Sequence, residues 1–243
     1  MTRVLLLGGT TEAASLARAL AEAGVDAVYS YAGRTDTPAA PPLPVRVGGF
    51  GGVAGLVDLL FTQCFSHIID ATHPFAAQMS RHAVEASKIT GCRLIALERE
   101  SWQAQAGDRW THVPDLAGAV AALGEVPRHV FLAIGRQNLE SFAVAPRHFY
   151  LLRLVDPPTE ALPLPRAEAV IARGPFTANG DRELLMRYRI EVIVAKNAGG
   201  AGAEAKLTAA RELGLSVIMI DRPVVPARRV ARTVDEVMAW LDG

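Results

Sequence analysis

Short apolar runs alternate along this chain with segments whose apolar positions recur at helical spacing. Residues 4–7 read as a buried strand, and Leu16, Ala19, Leu20 and Ala23 predict a helix over 11–23. Strands follow at 27–31 and 45–47, then a helix at about 53–61, a strand at 67–69, a helix at 76–87 and a strand at 93–97. A second series starts near Trp110. It places strands at 130–133, 149–152, 169–172, 192–195 and 217–220, and helices at 115–123, 179–188, 203–213 and 234–241. Proline-rich stretches at 38–44 and 156–165 are loops. Such alternation predicts an α/β protein whose mostly parallel sheets carry helices on their faces.

The chain has 243 residues, enough for one large or two small domains. The two series therefore predict two α/β lobes with a cleft between them, 1–105 and 106–243, with a hinge within 98–110. Half of the residues are hydrophobic, ample for a core at this length. Lys+Arg and Asp+Glu are both 25, for a formal net charge of zero. That balance argues against non-specific nucleic-acid binding and against a membrane-surface role. Cys64 and Cys92 form no C-x-x-C pattern and no disulfide framework. With its neighbour His67, Cys64 makes at most two metal ligands, too few for a site, so no protein-held metal is expected. The first apolar run is too short for a signal peptide, no stretch would span a bilayer, and the expected address is the cytoplasm.

Candidate chemistry gathers where strands are expected to end. The first strand runs into Gly8-Gly9-Thr10-Thr11-Glu12, a glycine turn opening a helix, which aims free backbone N–H groups at a phosphate. The G-x-G-x-x-G spacing is absent, and an ordinary turn capped by Thr10 or Thr11 is the plain alternative. Beyond the second strand, Arg34 with Ser30 and Thr35 would suit the 2′-phosphate of NADP; otherwise Arg34 is a solvated loop residue. The strand at 67–69 ends in Asp70-Ala71-Thr72-His73-Pro74, either a ligand site at a sheet tip or a helix cap made by Asp70, Thr72 or His73. In the second half, Gly135-Arg136, Arg173-Gly174-Pro175-Phe176 and Lys196-Asn197-Ala198-Gly199-Gly200 each set a cation beside a turn at a strand end. Three cations so placed favour an anionic ligand over scattered surface charge.

Taken in order, residues 5–12, 70–76, 173–176, 196–200 and the stretch from Lys206 through 217–223 resemble the precorrin-6A reductase and cobalt-precorrin-6A reductase family over nearly the whole chain. The likeness implies Rossmann-like lobes, NADPH as cofactor, and a tetrapyrrole substrate. The implied reaction reduces a macrocycle double bond, giving precorrin-6B, or does the same to the cobalt form. On this likeness Gly8, Gly9, Thr10, Thr11, Glu12, Arg34 and Thr72 are expected to hold NADPH, in the first lobe. Arg136, Arg173, Gly174, Phe176, Lys196, Asn197, Gly199 and Gly200 are expected to receive the substrate, in the second. Lys196, His73 and Asp70 are the expected catalytic residues, with His73 or a bound water supplying the proton. One departure stands out: family members often carry Arg where this chain has Ala14, and Arg18 is the next cation along.

Two rivals remain at this point. A short-chain dehydrogenase would need a Tyr-x-x-x-Lys pair, and Tyr188 is not followed by one. A redox-sensing module would bind NADP without turnover.

Overall fold

The computed structural model describes residues 2–31, 41–158 and 160–243. Arg34 and Thr35 lie outside them. The chain divides into two compact units, the first built from Met1–Glu100 and Val224–Gly243, the second from Ser101–Pro223.

The first unit opens with β1 (Arg3–Leu7), α1 (Thr11–Glu22), β2 (Asp26–Tyr31) and β3 (Val45–Val47). It continues through α2 (Gly52–Thr62), β4 (His67–Asp70), α3 (Ala77–Thr90) and β5 (Arg93–Leu97). After the second unit, β12 (Arg229–Ala231) and α7 (Val234–Asp242) complete it. Its six strands are parallel in the order β12-β5-β4-β1-β2-β3. Both faces of a parallel sheet are covered by helices, so Val4 to Leu7 of β1 are all apolar rather than alternating. Its side chains still divide by period two: Val4 and Leu6 pack with Leu16 and Leu20 of α1 and Trp240 of α7. Leu5 and Leu7 pack on the opposite face with Leu56 and Leu60 of α2 and Ala83 of α3.

The second unit contains β6 (Arg109–Val113), α4 (Leu116–Leu123), β7 (His129–Ala133), β8 (Phe149–Leu154) and β9 (Ala167–Ile171). It also holds α5 (Ala178–Arg187), β10 (Val192–Lys196), α6 (Ala205–Leu213) and β11 (Ser216–Ile220), all strands again parallel. Their order, β6-β11-β10-β7-β8-β9, repeats that of the first sheet. In each sheet five strands run 3-2-1-4-5, the doubly wound arrangement, and a sixth closes the edge beside strand 5. In the second sheet that edge strand precedes the other five; in the first it follows the whole second unit. Phe131, Leu151, Ile193 and Met219 of this sheet bury against Leu185 of α5 and Leu207 of α6.

The expected α/β class with parallel sheets is what folds. Three local expectations differ. Residues 224–243, placed by sequence in the second lobe, belong to the first unit, because β12 hydrogen-bonds to β5 and Val237 and Trp240 fill the α1 face of the core. The edge strands β6 and β12 were not foreseen; their burial patterns are mostly exposed, so they lack the apolar signature of an inner strand. Finally, α3 begins at Ala77 with no side-chain cap, so none of Asp70, Thr72 and His73 caps it. Among the described residues, no helix is long and apolar enough to cross a membrane.

Candidate functional site

In the first unit the polar groups collect at the carboxyl tips of β1, β4 and β5. Thr10 is the N-cap of α1: its hydroxyl accepts from the Ala13 N–H at 3.1 Å, a cap worth about 1 kcal/mol, and donates to the Ala71 carbonyl at 2.9 Å. One side chain thus ties the β1 turn to the β4 turn. Glycine at position 8 is dictated by packing, since a Cβ there would stand 2.2 Å from Cζ of Tyr29. The Tyr29 hydroxyl in turn accepts from the Gly9 N–H at 2.9 Å, and burial pushes that phenol above its usual range. Gly9 itself has φ +117°, with nothing within 4 Å of where a Cβ would point, so its outer side is open.

Glu12 lies in the first turn of α1, and its Oε2 sits 2.9 Å from Nη1 of Arg99. Burial works to raise this carboxyl, but its own backbone N–H, the Arg99 charge and the Thr11 hydroxyl outweigh that and hold it below the usual carboxylate range. Thr10, Glu12, Thr72, Pro74, Leu97, Glu98 and Arg99 line a narrow depression at these tips. Thr11, Glu12, Ser15, Leu97, Arg232 and Val234 line a second one of about 230 Å³. Arg18, the next cation after Ala14, donates to Ser15 Oγ at 3.1 Å.

Asp70 is 3% exposed, and its Oδ1 accepts from the Thr72 hydroxyl at 2.7 Å and the Thr72 N–H at 3.2 Å. Its Oδ2 lies 3.8 Å from Nε of Arg228, and neither of those buried atoms has a hydrogen-bond partner among the described residues. Arg228 also meets Glu98 Oε2 at 3.1 Å. Asp70 therefore shapes the Thr72 turn and neutralises Arg228. His73 is exposed at the same tip, its Nδ1 accepting from the Phe75 N–H at 3.2 Å. Sequence reasoning missed Arg99, Arg228 and Arg232, which are joined to the tip only by contacts across long stretches of chain.

In the second unit, Arg136 follows β7, Arg173 follows β9 and Lys196 ends β10. Arg136 is exposed, and Arg173 is exposed with its Nη2 3.7 Å from Asp156 Oδ1. Phe176 packs under the guanidinium of Arg153, 4.0 Å from its ring centroid, and a Cβ on Gly174 would meet the Phe176 ring at 3.3 Å. Lys196 is half-buried, and the turn behind it is braced from inside. Arg222 donates to the carbonyls of Asn197 and Ala198 at 2.9 and 3.0 Å, and the Trp102 indole N–H donates to that of Gly200 at 3.1 Å. Gly199 and Gly200 both take left-handed φ, +72° and +82°, which a side chain would strain. Asn197, expected at the substrate, is buried and spends its side-chain amide on the Trp102 backbone. Trp102 lies in the core of this unit.

Two doubly wound parallel sheets with polar strand tips, one around a glycine turn and one around cations, define a two-unit α/β protein of the dinucleotide-binding type. Residues 3–242 match the family model described as Precorrin-6x reductase CbiJ/CobK, and the chain belongs to that family of oxidoreductases. It is 67% identical over 241 residues to the precorrin-6A reductase of Rhodobacter capsulatus, covering 99% of this chain and 96% of that one. It is 50% identical over 221 residues to a Sinorhizobium precorrin-6A reductase, covering 90% and 85%. To the cobalt-precorrin-6A reductase of Priestia megaterium it is 31% identical over 249 residues, covering 97% and 96%. A solved structure titled CobK precorrin-6A reductase superimposes with a TM-score of 0.95 at 67% identity, covering 100% of this chain and 96% of that one.

Proposed function

We propose that this chain uses NADPH, in the cytoplasm, to reduce one double bond of precorrin-6A, giving precorrin-6B (dihydro-precorrin-6A) during corrin-ring assembly for cobalamin. The nicotinamide, when bound, supplies the hydride. The residues of the first unit fit such a cofactor. Gly9 leaves an open approach to the backbone beside the N-terminus of α1, where a phosphate is favoured. Gly8, Gly9, Thr10, Thr11 and Glu12 form that cradle, Arg34 takes the 2′-phosphate, and Thr72, held by Asp70, lines the nicotinamide half. Arg99 keeps the Glu12 charge from opposing a nearby phosphate. Saturating a carbon–carbon bond also requires a proton, and exposed His73 at the β4 tip is the side chain assigned to deliver it, directly or through water.

The observation that supports the substrate assignment is the placement of Arg136, Arg173 and Lys196 at or just after the carboxyl ends of three strands of one sheet. The macrocycle carries many carboxylates, and each cation offers charge-assisted hydrogen bonds to one of them. Gly174, Phe176, Asn197, Gly199 and Gly200 give their turns the required shape. Arg18 and Arg232 are further cations beside this helix start, Arg18 bonded to Ser15 and Arg232 lining the same depression as Glu12 and Ser15. The higher identity to relatives named for the cobalt-free substrate supports precorrin-6A over its cobalt form.

Stopped-flow absorbance of NADPH on mixing with precorrin-6A tests the reading: rapid oxidation of one NADPH per macrocycle is expected. Binding without oxidation would turn the assignment into a redox sensor, and turnover with only the cobalt-bearing macrocycle would change the substrate. Arg34→Ala should weaken NADPH far more than NADH; equal loss for both would remove Arg34 from the 2′-phosphate.

A further inference from the structure

We infer that Arg153 and Asp181 are a positioning pair that sets the shape of the Arg173–Phe176 turn for the substrate; this rests on the assignment of that turn to the macrocycle. Arg153 is the penultimate residue of β8, in register with Val170 of β9. Its guanidinium lies 4.0 Å from the Phe176 ring centroid and 5.1 Å from that of Phe131. Its Nη2 donates to Oδ1 of Asp181 in the first turn of α5. The two side chains are only 11% and 4% exposed.

A buried ion pair is poor value for stability alone, because desolvating both charges offsets most of their attraction, and apolar side chains of similar size would serve as well. What this pair does supply is geometry. The planar guanidinium fixes the Phe176 ring from one side, and that ring lies against Gly174, where any Cβ would touch it at 3.3 Å. Asp181 sits in the first turn of α5, just past the far end of the same turn, and the Thr177 hydroxyl caps that helix by accepting from the Gly180 N–H at 3.1 Å, so the carboxylate that holds Arg153 is fixed relative to the turn. The relay runs from Asp181 to Arg153, to Phe176, to Gly174 and so to the neighbouring Arg173. Arg173 itself has little to hold it, since its contact with Asp156 is long and exposed. Arg153 is neutralised by Asp181, so it acts through the turn and touches no substrate.

The test compares Arg153→Met, Arg153→Lys, Asp181→Asn and Arg173→Ala in the full-length enzyme. Arg153→Met should raise the KM for precorrin-6A about tenfold, the loss of one charge-assisted contact, with kcat within about twofold and NADPH affinity by fluorescence unchanged. Arg153→Lys should recover part of the loss, because it restores the charge but lacks the plane and the fork. A merely structural pair would lower Tm and the active fraction while leaving KM alone, and that result overturns the inference. If Arg153→Met does not fold, Asp181→Asn, nearly isosteric, decides by the same KM criterion. An elevated KM in Arg173→Ala beside a normal one in both pair variants sinks the positioning role and spares the substrate assignment. A normal KM in Arg173→Ala removes the turn from the substrate, and the inference goes with it.

Discussion

The side-chain amide of Asn197 satisfies both backbone polar groups of Trp102: its Oδ1 accepts from the Trp102 N–H at 2.8 Å, and its Nδ2 donates to the Trp102 carbonyl at 3.1 Å. A buried polar group that loses its partner costs about 1–3 kcal/mol. Asn197→Ala orphans both groups, so its urea midpoint, followed by tryptophan fluorescence, should fall well below the parent's. An unchanged midpoint would show that water replaces the amide at no cost.

Lys196, on the same turn, should behave oppositely. It ends β10 half-buried, while Arg222 and Trp102 hold the backbone behind it. Lys196→Ala is expected to leave Tm within a degree or two and to lower kcat/KM for precorrin-6A by about 10–100-fold, the range for one charge-assisted contact. A wild-type kcat/KM takes Lys196 out of the site.

Gly8 and Tyr29 form a steric pair. An added Cβ at position 8 would stand 2.2 Å from Tyr29 Cζ. Gly8→Ala should destabilise the first unit by about 1–3 kcal/mol, the usual cost of overpacking. Combining it with Tyr29→Leu should recover much of that loss, and additivity of the two changes in a double-mutant cycle would refute the clash.

Acid sensitivity should come partly from two buried histidines. Burial, and secondarily Arg93, holds His67 below the ordinary 6.5; burial and Arg147 do the same for His148. The folded chain then binds fewer protons than the unfolded chain as the pH drops below 6.5. Their stabilisation is complete above that value and is lost as pH falls towards the depressed folded values. His67→Asn keeps a hydrogen-bonding group for Ser66 Oγ, which lies 2.8 Å from Nδ1, without a titrating ring. Its urea midpoint should vary less between pH 7.5 and 5 than the parent's. Parallel profiles would assign the acid loss elsewhere.

The order of the helices and of all strands but the edge strands β6 and β12 was legible because periodicity and turn chemistry are local properties of the chain. Val4 to Leu7, the Gly8-Gly9 turn and a threonine cap at 10 or 11 all declare themselves within a few residues, and so do the cations at 136, 173 and 196 that mark strand ends. What those residues do with their side chains was not legible. Asn197 and Asp70 looked like ligand groups, yet the Asn197 amide closes the Trp102 backbone, and Asp70 gives its Oδ1 to Thr72 while its Oδ2 faces Arg228. Nothing in a sequence distinguishes an amide that faces a ligand from one that closes a backbone.

Only tertiary structure decided the rest. It brought Arg228 beside Asp70, Arg99 onto Glu12 and Arg153 between Phe176 and Asp181. It also returned 224–243 to the first sheet, where three mostly exposed residues of β12 gain an edge and Trp240 gains a core. Pairings between distant segments depend on the free energy of whole packed faces, and no short window of residues carries that information.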